Sequence, residues 1–559
     1  MKKFTGRTVF EMRRAMSALL LSLLIFGQIF AQTVAPARAT LAPEEQEFAA
    51  RIKIQTIKDY TAALAAPEME GRGTMQPGGD KAADWLADRY KSLGLKPLGE
   101  KGAYLQKIDF RETVLTPETI FKVGEENLKL GTDYVPLPYS TNVVPASGEL
   151  VFVAYGLLAK SLGRDDFADI DLNGKIAVLI DGPPANISPT DWNKADLKSK
   201  VFLNLARRGV SGIVFIGHGR EKASESPEAV IDHYSRRQIE LASEKERTEA
   251  IPPIMIASKA GAEKLFAKSG VALKDALASA ETNAFKPIDL KQPAKIVVGY
   301  KTTKGTSSNV VGYIEGADPK LKEEAVLFSA HYDAYGVENG RIYHGAADNA
   351  LGTAEMLAVA EAFSKSPVKP KRSLIFLAVT GEEYGLYGSI YWSKNPTWNI
   401  KKVAGNLNLD GIGTEVYGPV KTMVGYGAEH SSLGAVLEDV TSAMGIRVAP
   451  DPKPEEKYFY RSDHYSFVER GVPALMLMGG LENMQETMKR AEEWEKTDYH
   501  QPADMIQKTW FWEGAKTVAD VMGIMGLRLA NADAMPAWLS TSRFAKLERG
   551  NTKSLPEEK

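Results

Sequence analysis

His331 follows directly on an apolar run, 325–330, and is itself followed by Tyr332 and Asp333. Glu382 and Glu383 come after a second run, 373–380, and Gly381. Asp410 closes a third, 403–409. Asp348 stands in Gly345-Ala346-Ala347-Asp348-Asn349-Ala350, just ahead of a helical pattern, and His500 in Asp498-Tyr499-His500-Gln501-Pro502. The chain has no cysteine, so a metal site here must use imidazole and carboxylate, a set that suits zinc. Two His and three carboxylates around two zinc ions leave room for a bridging water, whose pKa the metal pair lowers while polarising a carbonyl. A base must take that water's proton. Glu382 and Glu383 are adjacent and need different jobs, one facing the metal and the other the water. Asp333 can orient the His331 imidazole and fix which ring nitrogen meets the metal. Asp348 alone reads as a helix N-cap; beside the other members, a metal-bridging carboxylate is the better reading.

These residues need a scaffold that gathers them. The runs 325–330, 373–380, 403–409 and 472–478 are short and rich in Val, Ile, Leu and Phe, as strands buried on both faces are. Residues 350–363 read as a helix between two of them. The expected architecture is α/β, a mixed, mostly parallel, doubly wound sheet flanked by helices. Three strands ending in ionisable residues then converge on one crevice at the carboxyl edge of the sheet.

A length of 559 residues predicts two or three domains. Residues 40–135 and 291–535 are read as two parts of the chemistry-bearing domain. Between them, 136–290 is a smaller α/β unit with strands near 149–155, 175–180, 212–216 and 254–256 and no catalytic-looking cluster; it is expected to be dispensable for chemistry. Residues 536–559 read as a polar, loosely ordered tail. Net charge is −2 and no long Lys/Arg run interleaves with aromatics, so no nucleic-acid partner is expected. Residues 1–31 combine Lys2, Lys3, Arg7, Arg13 and Arg14 with a short apolar stretch and small residues, the order of a cleaved export signal. The stretch is shorter than the roughly 20 residues of a spanning helix. The expected location is periplasmic or secreted, ahead of an uncleaved anchor, with no stable membrane partner after signal removal.

Residues 295–505 resemble metallopeptidase family 28, the co-catalytic di-zinc aminopeptidases and their relatives. The matching segments are Ser308-Asn309-Val310-Val311-Gly312, His331-Tyr332-Asp333, Asp348-Asn349-Ala350-Leu351-Gly352, Thr380-Gly381-Glu382-Glu383, Asn408-Leu409-Asp410, Ser462-Asp463-His464 and Tyr499-His500. Glu70-Gly71-Arg72-Gly73-Thr74 matches the family's opening. The resemblance implies a sheet of the zinc-exopeptidase type and two Zn2+ per chain. It puts one zinc on His331 and Asp410, the other on Glu383 and His500, with Asp348 bridging, Glu382 as general base and Asp333 behind His331. It also implies a cis Asp348–Asn349 peptide bond. The substrate would be a peptide, and the activity that of an aminopeptidase. The polar, aromatic stretch around Tyr460, Asp463 and His464 becomes a substrate-facing loop, where His464 or a nearby Tyr could stabilise an oxyanion. Residues 136–290 resemble the protease-associated domain inserted in many of these peptidases. Three alternatives share the fold: a carboxypeptidase, for which Arg72 and Arg461 could hold a substrate carboxylate, a non-enzymatic receptor-like relative, and a cyclising acyltransferase. The complete ligand set argues against the last two.

Overall fold

The structure is a computed structural model. It describes residues 40–553 and 555, except 139, 160–162, 189–190, 193–195, 222–225, 411–413 and 481–483. The export-signal reading of residues 1–31 lies outside the described residues.

The main sheet has ten strands. Nine are labelled in chain order: β1 (Leu105–Leu115), β2 (Gln238–Leu241), β3 (Tyr300–Ile314), β4 (Ala325–His331), β5 (Ser373–Val379), β6 (Val403–Leu409), β7 (Thr422–Tyr426), β8 (Arg447–Val448) and β9 (Ala474–Gly479). Their spatial order is β2-β1-β3-β5-β4-β6-β9-β7-β8, and Lys96–Pro97 adds a short edge beside β3. The four central strands, β5-β4-β6-β9, run parallel. The flanks on both sides join them antiparallel.

The central strands are the four apolar runs, and all their residues are buried. Helices cover both faces, which is why these strands carry no polar/apolar alternation. Four helices matter below: α1 (Pro77–Ser92), α2 (Pro227–Tyr234), α3 (Leu351–Ser364) and α4 (Trp512–Asn531). α3 is buried nearly all round, and its Ala-rich surface lets neighbouring elements approach closely. α4 crosses the sheet at Gly526, where an added Cβ would lie 2.3 Å from the Phe328 ring. Phe328 stacks on Phe376 of the adjoining strand at 5.1 Å, so this layer has no room to shift.

A second sheet of eight strands is built from residues between 120 and 297. Phe121, Phe152, Val178, Val214 and Phe266 form part of its own apolar core. It reaches beyond the 136–290 segment that composition singles out, and one strand within that segment joins the main sheet instead. β2 pairs antiparallel with β1 at the edge of the main sheet, where Ile239 and Leu241 pack against Ile108 and Phe110.

The segment expected to be a loose tail is docked as far as it is described. Arg549 donates to the carbonyls of Val403, Ala404 and Pro536, and Phe544 is buried against His430 and Trp538. Its polar composition hid one arginine that caps carbonyls of buried residues and one aromatic anchor.

Candidate metal centre

The register of the central strands brings the ionisable residues together. His331 pairs with Val379 across β4 and β5, so Glu382 begins three residues past the end of the neighbouring strand. Ser329 pairs with Asn408 across β4 and β6, which places Asp410 beside His331. The resulting distances divide the cluster in two. His331 Nε2 is 3.1 Å from Asp348 Oδ1 and 3.5 Å from Asp410 Oδ1. His500 Nε2 is 3.3 Å from Asp348 Oδ2 and 3.0 Å from Glu383 Oε2. Asp348 therefore offers one oxygen to each half. Glu382 Oε2 stands 3.9 Å from His331 Nε2.

The loop before α3 frees Asp348 for this position. Asn349 makes the cap-like bond, its Oδ1 accepting from Gly352 N at 3.0 Å, while its Nδ2 donates to Leu409 O at 2.8 Å. Gly352 is required here, because an added Cβ would lie 2.3 Å from Asn349 Oδ1 and 2.6 Å from Leu409 O. Asp504 accepts from the amides of Ala347 and Asp348 at 2.9 and 3.1 Å. The Asp348–Asn349 bond is cis, as the resemblance implies. The N-cap reading of Asp348 is thus replaced by Asn349.

Each imidazole has a partner on its far side. His331 Nδ1 lies 3.2 Å from the Asp333 carbonyl and 3.7 Å from its carboxylate. The main-chain oxygen is the nearer acceptor. The Asp333 carboxylate instead accepts from Glu382 N at 3.3 Å and Thr74 Oγ1 at 3.2 Å, so it also fixes the strand end that carries Glu382. His500 Nδ1 meets the Tyr335 hydroxyl at 3.3 Å. Asp410 Oδ2 accepts from Ser462 Oγ at 2.5 Å, and Ser462 accepts from Asn408 Nδ2 at 2.9 Å.

The donor set fits divalent zinc. Four carboxylates face two imidazoles, nearly all buried, and His331 Nε2 and Glu383 Oε2 have no hydrogen-bond partner. Burial raises Glu382 well above the usual carboxylate range. Burial lowers the affinity of His500 for a proton, but Glu383 and Asp348 outweigh it and push the imidazole up to about 9. This excess of negative charge in a largely buried cleft is what bound cations offset. Within the described residues, two groupings, His331-Asp348-Glu383 and His331-Glu382-Asp410, bring ligand atoms close enough to share an ion.

The residues expected to face substrate sit differently. Asp463 and His464 are fully buried. The Asp463 carboxyl is pushed up to about 7 by burial, and the His464 imidazole down to about 4 by the same cause. The Tyr460 hydroxyl accepts from Arg543 at 3.1 Å.

Arg72, one of two cations considered for a substrate carboxylate, is buried with its donors engaged. It donates to the carbonyls of Tyr332 (2.5 Å), Leu64 (2.8 Å), His344 (2.7 Å) and Gly345 (2.7 Å). It fastens the loop that leads into Asp348, with four of its five donors on main-chain carbonyls and its side chain fully buried. Arg72→Met is expected to leave these carbonyls unpaired and to cost about 3 kcal/mol or more, since each charged hydrogen bond contributes roughly 1.5–3 kcal/mol. A urea midpoint within error of the native one would refute this role. Sequence reasoning missed Tyr335 and Asp504 and gave Ser462, named only within a matching segment, no role; Asp504 carried a signal of its own, a carboxylate four residues beyond His500 in the same loop.

Known proteins share both sequence and fold with this chain. A sequence model of Peptidase family M28 matches residues 309–524. A "Vacuolar membrane protease" of Clavispora lusitaniae is 38% identical over 107 residues, 19% of this chain and 10% of that protein. "Leupeptin-inactivating enzyme 1" of Streptomyces exfoliatus is 28% identical over 215 residues, 37% of this chain and 45% of that protein. The matches thus span from a tenth to under half of these relatives' length. Among solved structures, an aminopeptidase from Aneurinibacillus sp. strain AM-1 has a TM-score of 0.56 at 20% identity, covering 88% of this chain and 97% of that one. BSAP, a zinc aminopeptidase from Bacillus subtilis, has a TM-score of 0.54 at 16% identity, covering 89% and 98%. The fold is the mixed α/β fold of these zinc aminopeptidases. Among the described residues no helix is long and apolar enough to cross a membrane.

Proposed function

We propose that the chain is an exported, zinc-dependent aminopeptidase of the M28 type that releases N-terminal residues from peptides. The observation that carries this reading is the division of Asp348. Its two oxygens face two different histidine–carboxylate pairs, His331 with Asp410 and His500 with Glu383. In this reading the five residues hold two zinc ions. Zinc bound there supplies Lewis-acid polarisation of the scissile carbonyl and makes water more acidic. Glu382, alone of the cluster's carboxylates, is left to move protons: its carboxylate takes one from the attacking water and returns it to the leaving amine. Asp333 holds the Glu382 amide, and Ser462 holds Asp410. Asp463, His464 and Tyr460 shape the wall near the substrate from behind. The second sheet is read as a protease-associated-like unit bordering the cleft. Export rests on the basic, apolar and small-residue order within residues 1–31.

A carboxypeptidase remains the second reading only through Arg461, which is exposed and lies 5.2 Å from the Tyr458 ring. One experiment separates the two. Metal-stripped protein is reloaded with zinc, and hydrolysis of amino-acid amides with free and blocked amines is compared. Zinc-dependent cleavage of the free-amine substrates alone is the expected result. Cleavage only of amine-blocked peptides with a free carboxyl terminus would favour the carboxypeptidase, and no zinc-dependent cleavage of either would refute both.

A further inference from the structure

The middle unit supplies no imidazole or carboxylate to the cluster, yet a turn of it reaches His500. α2 ends at Tyr234, and Arg236 follows almost at once with its side chain 4% exposed. Arg236 Nη2 donates to the main-chain carbonyl of His500 at 2.9 Å and also to the Asp232 carboxylate. Asp232 in turn accepts from Gln501 Nε2 at 3.3 Å. The Arg236 guanidinium carbon lies 4.4 Å from the ring centre of Tyr335, the residue whose hydroxyl meets His500 Nδ1. Residues 232–236 therefore hold His500 along two routes, one through its own carbonyl and one through the ring that contacts its imidazole.

His500 needs such a hold more than His331 does. Its φ is 57°, the left-handed region, which disfavours a residue with a side chain and persists where the surroundings impose it. Its side chain is 29% exposed, against 1% for His331 at the end of a buried central strand. Released from its partners, a strained loop residue facing solvent relaxes, and Nε2 turns away from Glu383 and Asp348.

We propose that Arg236 is a positioning residue for His500: through the His500 carbonyl and the Tyr335 ring it aims Nε2 at Glu383 and Asp348, so that metal affinity in that half of the centre depends on a side chain of the middle unit. This rests on the two-zinc reading above, and it replaces the expectation that the middle unit is dispensable. The experiment uses the full chain and zinc alone. Native protein, Arg236→Met, Arg236→Lys and Tyr335→Phe are loaded with zinc and dialysed against graded chelator, and zinc per chain is measured beside thermal unfolding of the stripped proteins. In Arg236→Met one of the two zincs should leave at about 10–100-fold lower chelator strength, the range over which such outer partners act, while the other stays. Arg236→Lys should restore part of the loss. Tyr335→Phe, which removes one hydroxyl, should weaken the same zinc by less; if Arg236→Met does not fold, Arg236→Lys decides the matter, with a smaller weakening of that zinc alone expected. Two native zincs with unchanged affinity in the variants would overturn this proposal alone. So would equal weakening of both zincs together with a lowered unfolding midpoint of the stripped protein. A native chain that binds no zinc would overturn the two-zinc reading and this proposal with it.

Discussion

Glu382→Gln is expected to keep both zinc ions and to lose turnover by roughly 10²–10⁴-fold, the range a positioned proton-transfer group supplies. The neutral amide keeps the shape of the side chain, the contact of its main-chain N–H with Asp333 and the fit of the cleft. It cannot accept the proton of the attacking water. The distances set it apart from its neighbour: Glu383 Oε2 is 3.0 Å from His500 Nε2, whereas the shortest approach of Glu382 to an imidazole is 3.9 Å. The check is zinc stoichiometry beside kcat and KM, with KM expected to change little because binding contacts are untouched. Retention of near-native kcat would remove Glu382 from proton transfer. Loss of a zinc would make Glu382 a ligand.

The centre was legible because it grows out of the part of the fold that sequence reads best. β4, β5 and β6 are uninterrupted apolar runs, and polarity changes abruptly at His331, Glu382 and Asp410, so strand ends and chemistry coincide. The long strands β1 and β3 carried no such mark. β1 is half-exposed along much of its length, and the first part of β3 is a polar stretch whose backbone pairs with β1 while its side chains meet solvent. β2 is four residues inside a charged segment, and its partner lies more than a hundred residues earlier. Pairing of that kind is fixed by tertiary contact and leaves little trace in local composition.

The supporting residues were hidden for a related reason. Arg72, Tyr335, Ser462 and Asp504 act by one hydrogen bond or a few to groups that only the finished fold brings near. Arg72 reads from sequence as a cation that could hold a substrate carboxylate, whereas its donors end on carbonyls from three separate segments. His331 itself shows the limit: a nearby Asp333 was legible, but the nearer acceptor proved to be that residue's carbonyl, freeing the carboxylate to hold the Glu382 amide.

The second large effect concerns the shared carboxylate. Asp348→Ala should abolish measurable turnover and release both zinc ions, whereas Glu383→Gln should release one first and recover part of its activity in excess zinc. Asp348 Oδ1 faces His331 and Oδ2 faces His500, so one truncation removes a ligand from each half. In the two-zinc reading it would also remove negative charge that both cations share, which favours loss of both. Glu383 belongs to the His500 half, and its change leaves His331, Asp348 and Asp410 in place. The two variants therefore differ in number of metals, a quantity read by zinc analysis after gel filtration without reference to activity. Retention of one tightly held zinc by Asp348→Ala would show that the halves do not share this residue. Loss of both from Glu383→Gln at the same chelator strength would place Glu383 between the metals instead, and the division of ligands drawn from the distances would have to be redrawn.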